Sequence, residues 1–174
     1  MRRKLMWVLL FGTATMITAV YVRKALATPA SYGFAGTTLD MGRLGDVDVF
    51  NRLVPQDALP WLSLQITKGS SDLYVQNNAW YPGSSTGWHS HPGHSVIIVT
   101  AGTLADYESS DPACTPTVYT KGMAFVDPGG DHVHNIVNEG TGMASNIAVQ
   151  FIPAGAPRRI DAPQPANCPS FPPF

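Results

Sequence analysis

The feature that most constrains the fold is a succession of short segments rich in Val, Ile, Tyr and Trp and separated by turn residues. Each segment is four to eight residues long and bounded by Gly, Pro, Asn, Asp or Ser. Such segments are typical of β-strands, and their spacing favours a sandwich or barrel. The predicted strands cover residues 61–66, 73–80, 95–100, 117–120, 123–126, 132–137 and 146–152.

Three segments are predicted to lie outside these strands. Residues 55–59, where Gln56 and Asp57 can begin a turn, predict a short helix. Residues 105–117 predict a loop longer than a tight hairpin, which can shape one mouth of a barrel. Residues 153–174 contain seven prolines and no periodicity, which predicts a Pro-rich tail extended on the surface.

The first 27 residues have the pattern of an export signal. The basic run Arg2-Arg3-Lys4 precedes an apolar stretch over residues 5–22, and Ala25-Leu26-Ala27 ends the segment as a cleavage site. An apolar run of 18 residues is also long enough to act as an uncleaved anchor. We therefore expect the chain after residue 27 to be secreted or periplasmic, with membrane contact only if the signal stays uncleaved.

Cleavage would make the remaining 147 residues acidic. Five of the 11 Lys and Arg residues lie in the signal, so six bases would face 12 acids, a net charge of 6 − 12 = −6. No basic patch remains that nucleic acid or an anionic membrane surface would require. A chain of this length predicts one domain with a substantial core.

The two cysteines agree with export. Cys114 and Cys168 do not form a C-x-x-C pair, so redox catalysis or a zinc knuckle is disfavoured. In an oxidising compartment two cysteines are usually bridged. We expect a disulfide that ties the Pro-rich tail to the loop around Cys114, with two unrelated buried thiols as the alternative.

All five histidines lie in two windows, residues 83–94 and 122–138. Side chains two apart in a strand project to the same face, so His89 and His91 can reach one metal ion together. His132 and His134 share a face in the same way. Imidazole is a common ligand of first-row transition metals, so both windows predict metal chemistry.

The two windows resemble the two motifs of the cupin superfamily. The first contains Gly83, five residues and His89-x-His91; the second contains Gly122, five residues, Pro128-x-Gly130 and a His followed by Asn138. The resemblance implies an all-β, cupin-type double-stranded β-helix, or jelly-roll barrel, over residues 28–152 including an N-terminal extension. It further implies a metal held by His89, His91 and one second-window histidine.

The sequence departs from the family pattern at the second histidine and at a carboxylate. The family spacing falls on Val133, and His134 is the better ligand because His134-x-x-x-Asn138 keeps the trailing Asn; His132 is the alternative. The family's metal-binding Glu would fall on Ser95 or Val96 and is absent. We therefore expect a carboxylate-free site of three neutral imidazoles, with His94 as a less favoured fourth ligand.

Such a site favours one divalent transition metal, Fe, Mn, Ni, Cu or Zn, over Mg or Ca. By resemblance, the chain is expected to act as a dioxygenase-like oxidoreductase on a small substrate that chelates the metal as an anion. Two alternatives stay open: a metal-dependent isomerase or lyase, and a non-catalytic module that binds a metal or small ligand. A homodimer is expected by analogy with the family alone.

Overall fold

The computed structural model describes residues 33–54 and 59–171. These residues form strands joined by turns, and none of their segments is a helix that could cross a membrane. The predicted signal and all of the predicted helix except Leu59 lie outside the described residues. The strands are β1 (Phe34–Leu44), β2 (Val47–Leu53), β3 (Trp61–Thr67), β4 (Ser71–Trp80), β5 (His89–Ser90), β6 (Ser95–Ala101), β7 (Thr103–Glu108), β8 (Thr117–Thr120), β9 (Ala124–Asp127), β10 (His134–Val137), β11 (Ala144–Pro153) and β12 (Ile160–Asp161).

Two five-stranded antiparallel sheets make up most of the fold. Their strand orders are β1-β4-β11-β6-β9 and β12-β5-β10-β7-β8. From β6 to β11 the chain passes repeatedly from one sheet to the other, which is the connectivity of a jelly roll. The predicted all-β class and jelly-roll architecture are therefore confirmed.

The main hydrophobic core receives side chains from both five-stranded sheets. Side chains along β6 alternate between the core and the solvent. Ile97 and Val99 are buried, whereas Val96 and Ile98 are exposed. The neighbouring strand β9 alternates in the same way and buries Asp127. The complete cluster comprises Trp80, Ile97, Val99, Leu104, Phe125, Ile136, Ala144 and Ala148.

Five strands, namely β1, β2, β5, β7 and β12, lie outside the predicted strand segments. β1 contains two Gly and one Asp, and β2 contains Asp48 and Asn51; these residue types are depleted in strands and weaken the local signal. β1 is fixed by its register with β4, a non-local pairing that local propensity does not report. The predicted loop over residues 105–117 was wrong in its first part, because Thr103–Glu108 is β7, paired with both β8 and β10.

The hairpin of β2 and β3 forms a sheet of its own. The two strands pair along their whole length, from Val47 opposite Thr67 to Leu53 opposite Trp61. Large apolar side chains of this hairpin are exposed, including Phe50 at 64% and Leu64 at 66%. An isolated two-stranded ribbon is marginally stable in water.

The C-terminal segment is not a surface tail throughout. β12 pairs with β5, and Ala162 is buried in a second cluster that Cys168 and Phe171 also contact. The predicted Cys114–Cys168 disulfide is present and closes this segment onto the barrel. The pairing of β12 and the predicted disulfide therefore hold part of the predicted surface tail against the barrel.

A buried carboxylate anchors the beginning of this segment. Asp72 Oδ2 accepts a hydrogen bond of 2.8 Å from the Gly155 amide, and its other oxygen accepts one of 2.8 Å from Arg43 Nε. The Arg43 guanidinium and then the Gly155 amide hold the pKa of Asp72 below its ordinary range. The chain that leaves β11 is therefore fixed at both ends, by Asp72 and by the disulfide.

We predict that replacing both cysteines with serine destabilises the fold. The bridge joins residues 54 positions apart, and a loop of that size corresponds to about 4 kcal/mol of unfolded-chain entropy. For a domain of this size, that change lowers the Tm by roughly 10 °C. Circular-dichroism melting measures it.

The control is the wild type in reductant, which should melt like the double variant, while reductant should leave the variant unchanged. An equal Tm for oxidised wild type and the double variant would contradict the prediction.

Candidate metal centre

Two very short strands bring the histidines together. His89 in β5 is paired in register with His134, the first residue of β10. Their ring centroids are 4.6 Å apart. His91 follows β5 directly, and its ring centroid is 4.8 Å from that of His89. His89 and His91 therefore lie close together, and His134, from the second histidine window, lies beside His89.

The rings of His89 and His91 are held through Nδ1. His89 Nδ1 lies 2.8 Å from the Gly87 carbonyl oxygen, and His91 Nδ1 lies 2.5 Å from the Arg158 carbonyl oxygen. A carbonyl only accepts hydrogen bonds, so both Nδ1 atoms carry the proton. Gln150 Nε2 lies 3.0 Å from His91 Nδ1 and donates to the same Arg158 carbonyl, so both nitrogens share this acceptor. The Nε2 atom of each ring is therefore the unprotonated one.

A carboxylate orients His134. Asp106 Oδ1 lies 3.3 Å from His134 Nδ1, at the distance of an ion pair though without hydrogen-bond alignment. Burial opposes protonation of His134, but the nearby Asp106 and Asp127 carboxylates outweigh it and raise its pKa. Since Nδ1 faces Asp106, Nε2 is left facing the other histidines and Asp127.

One ligand atom from each of His89, His91 and His134 lies within 4.8 Å of the other two. Burial lowers the pKa of His89 to about 2, and the positive charges of neighbouring groups, His134 and Arg159 among them, add to this effect. Burial also lowers the pKa of His91. Both rings are thus neutral at physiological pH, which is the form that binds a metal ion.

A buried carboxylate lies beside the three histidines, although the group of three itself contains none. Asp127 is 2% exposed, and its Oδ2 atom lies 3.5 Å from His91 Nε2 and 3.9 Å from His134 Nε2. Its Oδ1 atom accepts a hydrogen bond of 2.9 Å from the Gly129 amide. The position of the family's Glu holds no acidic residue, as the sequence indicated, but β9 places the carboxylate of Asp127 beside the histidines.

The other two histidines lie outside this group of three. His132 Nε2 is 3.0 Å from Glu108 Oε2, and its Nδ1 is 3.5 Å from Asp127 Oδ1. It shares with Asp127 and His134 a second, overlapping group of closely spaced ligand atoms. His94 stacks on Phe151 with ring centroids 5.6 Å apart, and it lines a different cavity. The structure thus brings His134, rather than His132 or His94, together with His89 and His91.

A cavity of about 280 Å³ opens beside the three histidines. Its apolar wall comes from the core, whereas polar side chains of β4 and β11 and two arginines of the C-terminal segment supply the rest. The residues lining it include Gln76, Asn78, Trp80, His89, His91, Ile97, Phe125, Asp127, His134, Asn146, Gln150, Arg158 and Arg159. A volume of this size suits a small molecule.

The residues present fit a divalent transition metal. Within residues 33–54 and 59–171, Asp127 Oδ2 and both ring nitrogens of His134 are buried without a hydrogen-bond partner. Leaving such a group unsatisfied costs about 1–3 kcal/mol. Ligand atoms that share one ion at about 2.1 Å lie roughly 3.0–3.4 Å from each other, close to the spacing of Asp127 Oδ2 and His91 Nε2.

Sequence reasoning missed Asp127, Asp106 and both arginines of the site. Asp127 comes one residue after the predicted strand 123–126. Because it is two residues from the apolar Phe125, strand geometry could have placed both side chains on the same inward face. Asp106 was assigned to a loop, and Arg158 and Arg159 to a surface tail. Asn138, used to choose His134, is a structural residue: its Nδ2 donates to the carbonyls of Trp80 and of Gly142.

Neither a protein-family model nor a curated protein matches the sequence. Solved structures match parts of it. Peruvianin-I, a cysteine peptidase from Thevetia peruviana latex, is 30% identical over 45% of this chain and 49% of its own, with a TM-score of 0.39. A cupin-like protein from Thermotoga maritima is 23% identical over 52% and 65%, with a TM-score of 0.44.

A cupin domain from Bordetella pertussis is 19% identical over 64% of this chain and 98% of its own, with a TM-score of 0.39. Structures described as cupins therefore recur among the matches. This chain spans about half the length of peruvianin-I.

Proposed function

We propose that this cupin-like protein binds one divalent transition metal through His89, His91 and His134 and catalyses a dioxygenase-like oxidation of a small chelating molecule. The observation that carries the proposal is that an acceptor stands behind the Nδ1 atom of each ring. Metal-binding histidines are typically oriented in this way, because the second-shell acceptor fixes the tautomer. The Cys114–Cys168 bridge fits an oxidising compartment, so the proposal includes export.

Each part of the chain has a distinct role in this proposal. A bound Fe, Mn, Ni, Cu or Zn ion would supply Lewis acidity and, where it is redox-active, electrons. Gly87, Arg158 and Asp106 hold the rings in place. The apolar wall formed by Trp80, Ile97, Phe125 and neighbouring core residues keeps water away from the reacting molecule.

The first test is metal content. We predict about one metal ion per chain in protein purified without a polyhistidine tag, measured by plasma mass spectrometry. His134→Ala should lose the metal, because one of three imidazoles is removed, while His132→Ala should retain it. Intact mass of the same sample reports whether residues 1–27 are absent.

A metal content below about 0.2 per chain in the wild type would rule the proposal out. Full metal in the His134→Ala protein would show that another residue is the third ligand. The His132→Ala variant is the matched control, since it removes the neighbouring imidazole of the same motif.

Asp127 is the fourth ligand that we propose. Its buried Oδ2 atom is close to two of the imidazole Nε2 atoms, and its Oδ1 atom is already occupied by the Gly129 amide. A buried carboxylate needs a cationic partner, and a metal ion would provide one at this position. One carboxylate would lower the net charge of a divalent site from 2+ to 1+.

We predict that Asp127→Asn weakens metal binding at least tenfold, measured by competition with a chromophoric chelator. Asn keeps an oxygen that can accept the Gly129 hydrogen bond but removes the negative charge, so the fold should persist. Asp131→Asn is the control, because Asp131 is an exposed carboxylate of the same turn. Equal affinities of the Asp127→Asn protein and the wild type would exclude this carboxylate as a ligand.

Oxygen consumption distinguishes the proposed reaction from the alternatives. With a chelating diketone or hydroxy acid as substrate, we expect oxygen uptake at an electrode that requires the metal and disappears in His89→Ala. Turnover that continues unchanged under argon would point instead to an isomerase or lyase that uses the ion as a Lewis acid. Binding of the same compounds without any turnover would indicate a non-catalytic module.

A further inference from the structure

Arg159 lines the cavity with a side chain that is 26% exposed, and its guanidinium is only partly paired. Its Nε atom donates to Asp161 Oδ1, but its Nη2 atom is buried and, among the residues that the structure describes, has no hydrogen-bond partner. Leaving a charged donor buried and unpaired is more costly than leaving a neutral one. The same cavity contains the three histidines.

The neighbouring Arg158 differs, because two of its three guanidinium nitrogens donate hydrogen bonds. Its Nε atom donates to Gln150 Oε1 at 3.0 Å, and its Nη1 atom donates to Thr38 Oγ1 at 2.8 Å. The guanidinium carbon also lies 4.1 Å from the centre of the Tyr74 ring, within cation–π distance. Arg158 therefore holds the segment in place, whereas Arg159 keeps donors available.

The backbone places Arg159 beside the histidines. The residue before it accepts the His91 hydrogen bond through its carbonyl, and Asp161, two residues later, is paired in register with His89. The positive charge of Arg159 accordingly contributes to the lowered pKa of both His89 and His91. A molecule in contact with the three imidazoles would thus be near this guanidinium.

The acids near the cavity leave the Arg159 guanidinium only partly paired. Asp127 is the carboxylate that lines the cavity, and it faces His91 and His134; Asp161 takes only the Nε side of Arg159. We infer that Arg159 forms an anion subsite next to the metal centre and binds the carboxylate of a small organic acid. Arg donors suit this group, because a planar guanidinium presents two parallel N–H bonds to a carboxylate.

The inference rests on the proposed function in that it names the substrate class of the same site. The cavity of about 280 Å³ limits the acid to a compact molecule, and its walls offer amide groups of Gln76, Asn78 and Asn146 to further polar atoms. Asn78 Oδ1 is itself buried and unpaired within the described part of the chain. A short hydroxy acid would satisfy both requirements, since its carboxylate accepts from Arg159 and its hydroxyl donates.

Calorimetric titration of the protein as purified, with glycolate and with glycolamide, tests the subsite. Glycolamide has nearly the same shape but no charge. We expect glycolate to bind at least tenfold more tightly than glycolamide, and Arg159→Gln to remove most of that preference, since hydrogen bonds to charged groups correspond to factors of roughly 10 to 100. Arg159→Lys should retain part of the preference for glycolate, because the positive charge remains although the paired N–H donors of the guanidinium are lost.

Arg52→Gln is the control, because it removes the same charge from an exposed position on β2, among residues that do not line the cavity. A full preference for glycolate in Arg159→Gln, an equal loss in Arg52→Gln, or no preference in the wild type would each overturn the inference. Melting curves verify that the variants fold.

Metal content separates this inference from the proposed function. Arg159→Gln should contain as much metal as the wild type, because Arg159 is not among the ligands. The titrations are repeated after treatment with a chelator, where the Arg159-dependent preference should persist even if overall affinity falls. Absence of metal would therefore refute the proposed metal site, whereas an unchanged glycolate preference in Arg159→Gln would refute the subsite.

Discussion

The candidate site depends on one backbone pairing, that of His89 with His134 between β5 and β10. β5 has only two residues, so the pairing has little intrinsic stability and must be supported from both sides. β7 flanks β10 on one side, and β12 flanks β5 on the other. Since β12 belongs to the C-terminal segment, the geometry of the histidines is coupled to a part of the chain far from them in sequence.

The same segment acts on the site in three ways. It pairs with β5, it supplies the carbonyl of Arg158 to His91, and it places Arg159 in the wall of the cavity. Asp72 fixes its beginning and the Cys114–Cys168 disulfide fixes its end. A catalytic or binding group must be held by rigid surroundings to act efficiently, and here a disulfide and an ion pair provide that rigidity to a Pro-rich segment.

Local pattern predicted the parts of this fold that obey a local rule. The existence of β6 and β11 follows from local composition, and the common face of His89 and His91 follows from the geometry of a strand, so both were readable from the sequence. β1 and β12 were not, because both are fixed by partners far along the chain, and β12 is only two residues long. Asp127 could not be assigned to the site from the sequence for the same reason. It lies near His91 because β9 pairs with β6, and the spacing of residues within the motif does not encode this pairing.

Polar groups at this site differ from those that support the fold. Buried Asn138 and Thr86 are paired with backbone groups, as the cost of burying polar atoms requires. Asp127, His134 and Arg159 line the same cavity, and within the described chain Asp127 Oδ2, His134 Nε2 and Arg159 Nη2 are buried without a hydrogen-bond partner. The first two atoms are acceptors that lie 3.9 Å apart, where a cation would fit, and Arg159 is a cationic residue in the wall of the same cavity. Opposite charges so arranged favour a metal ion and an anionic molecule bound side by side, because each would offset the charge left unmatched by the other.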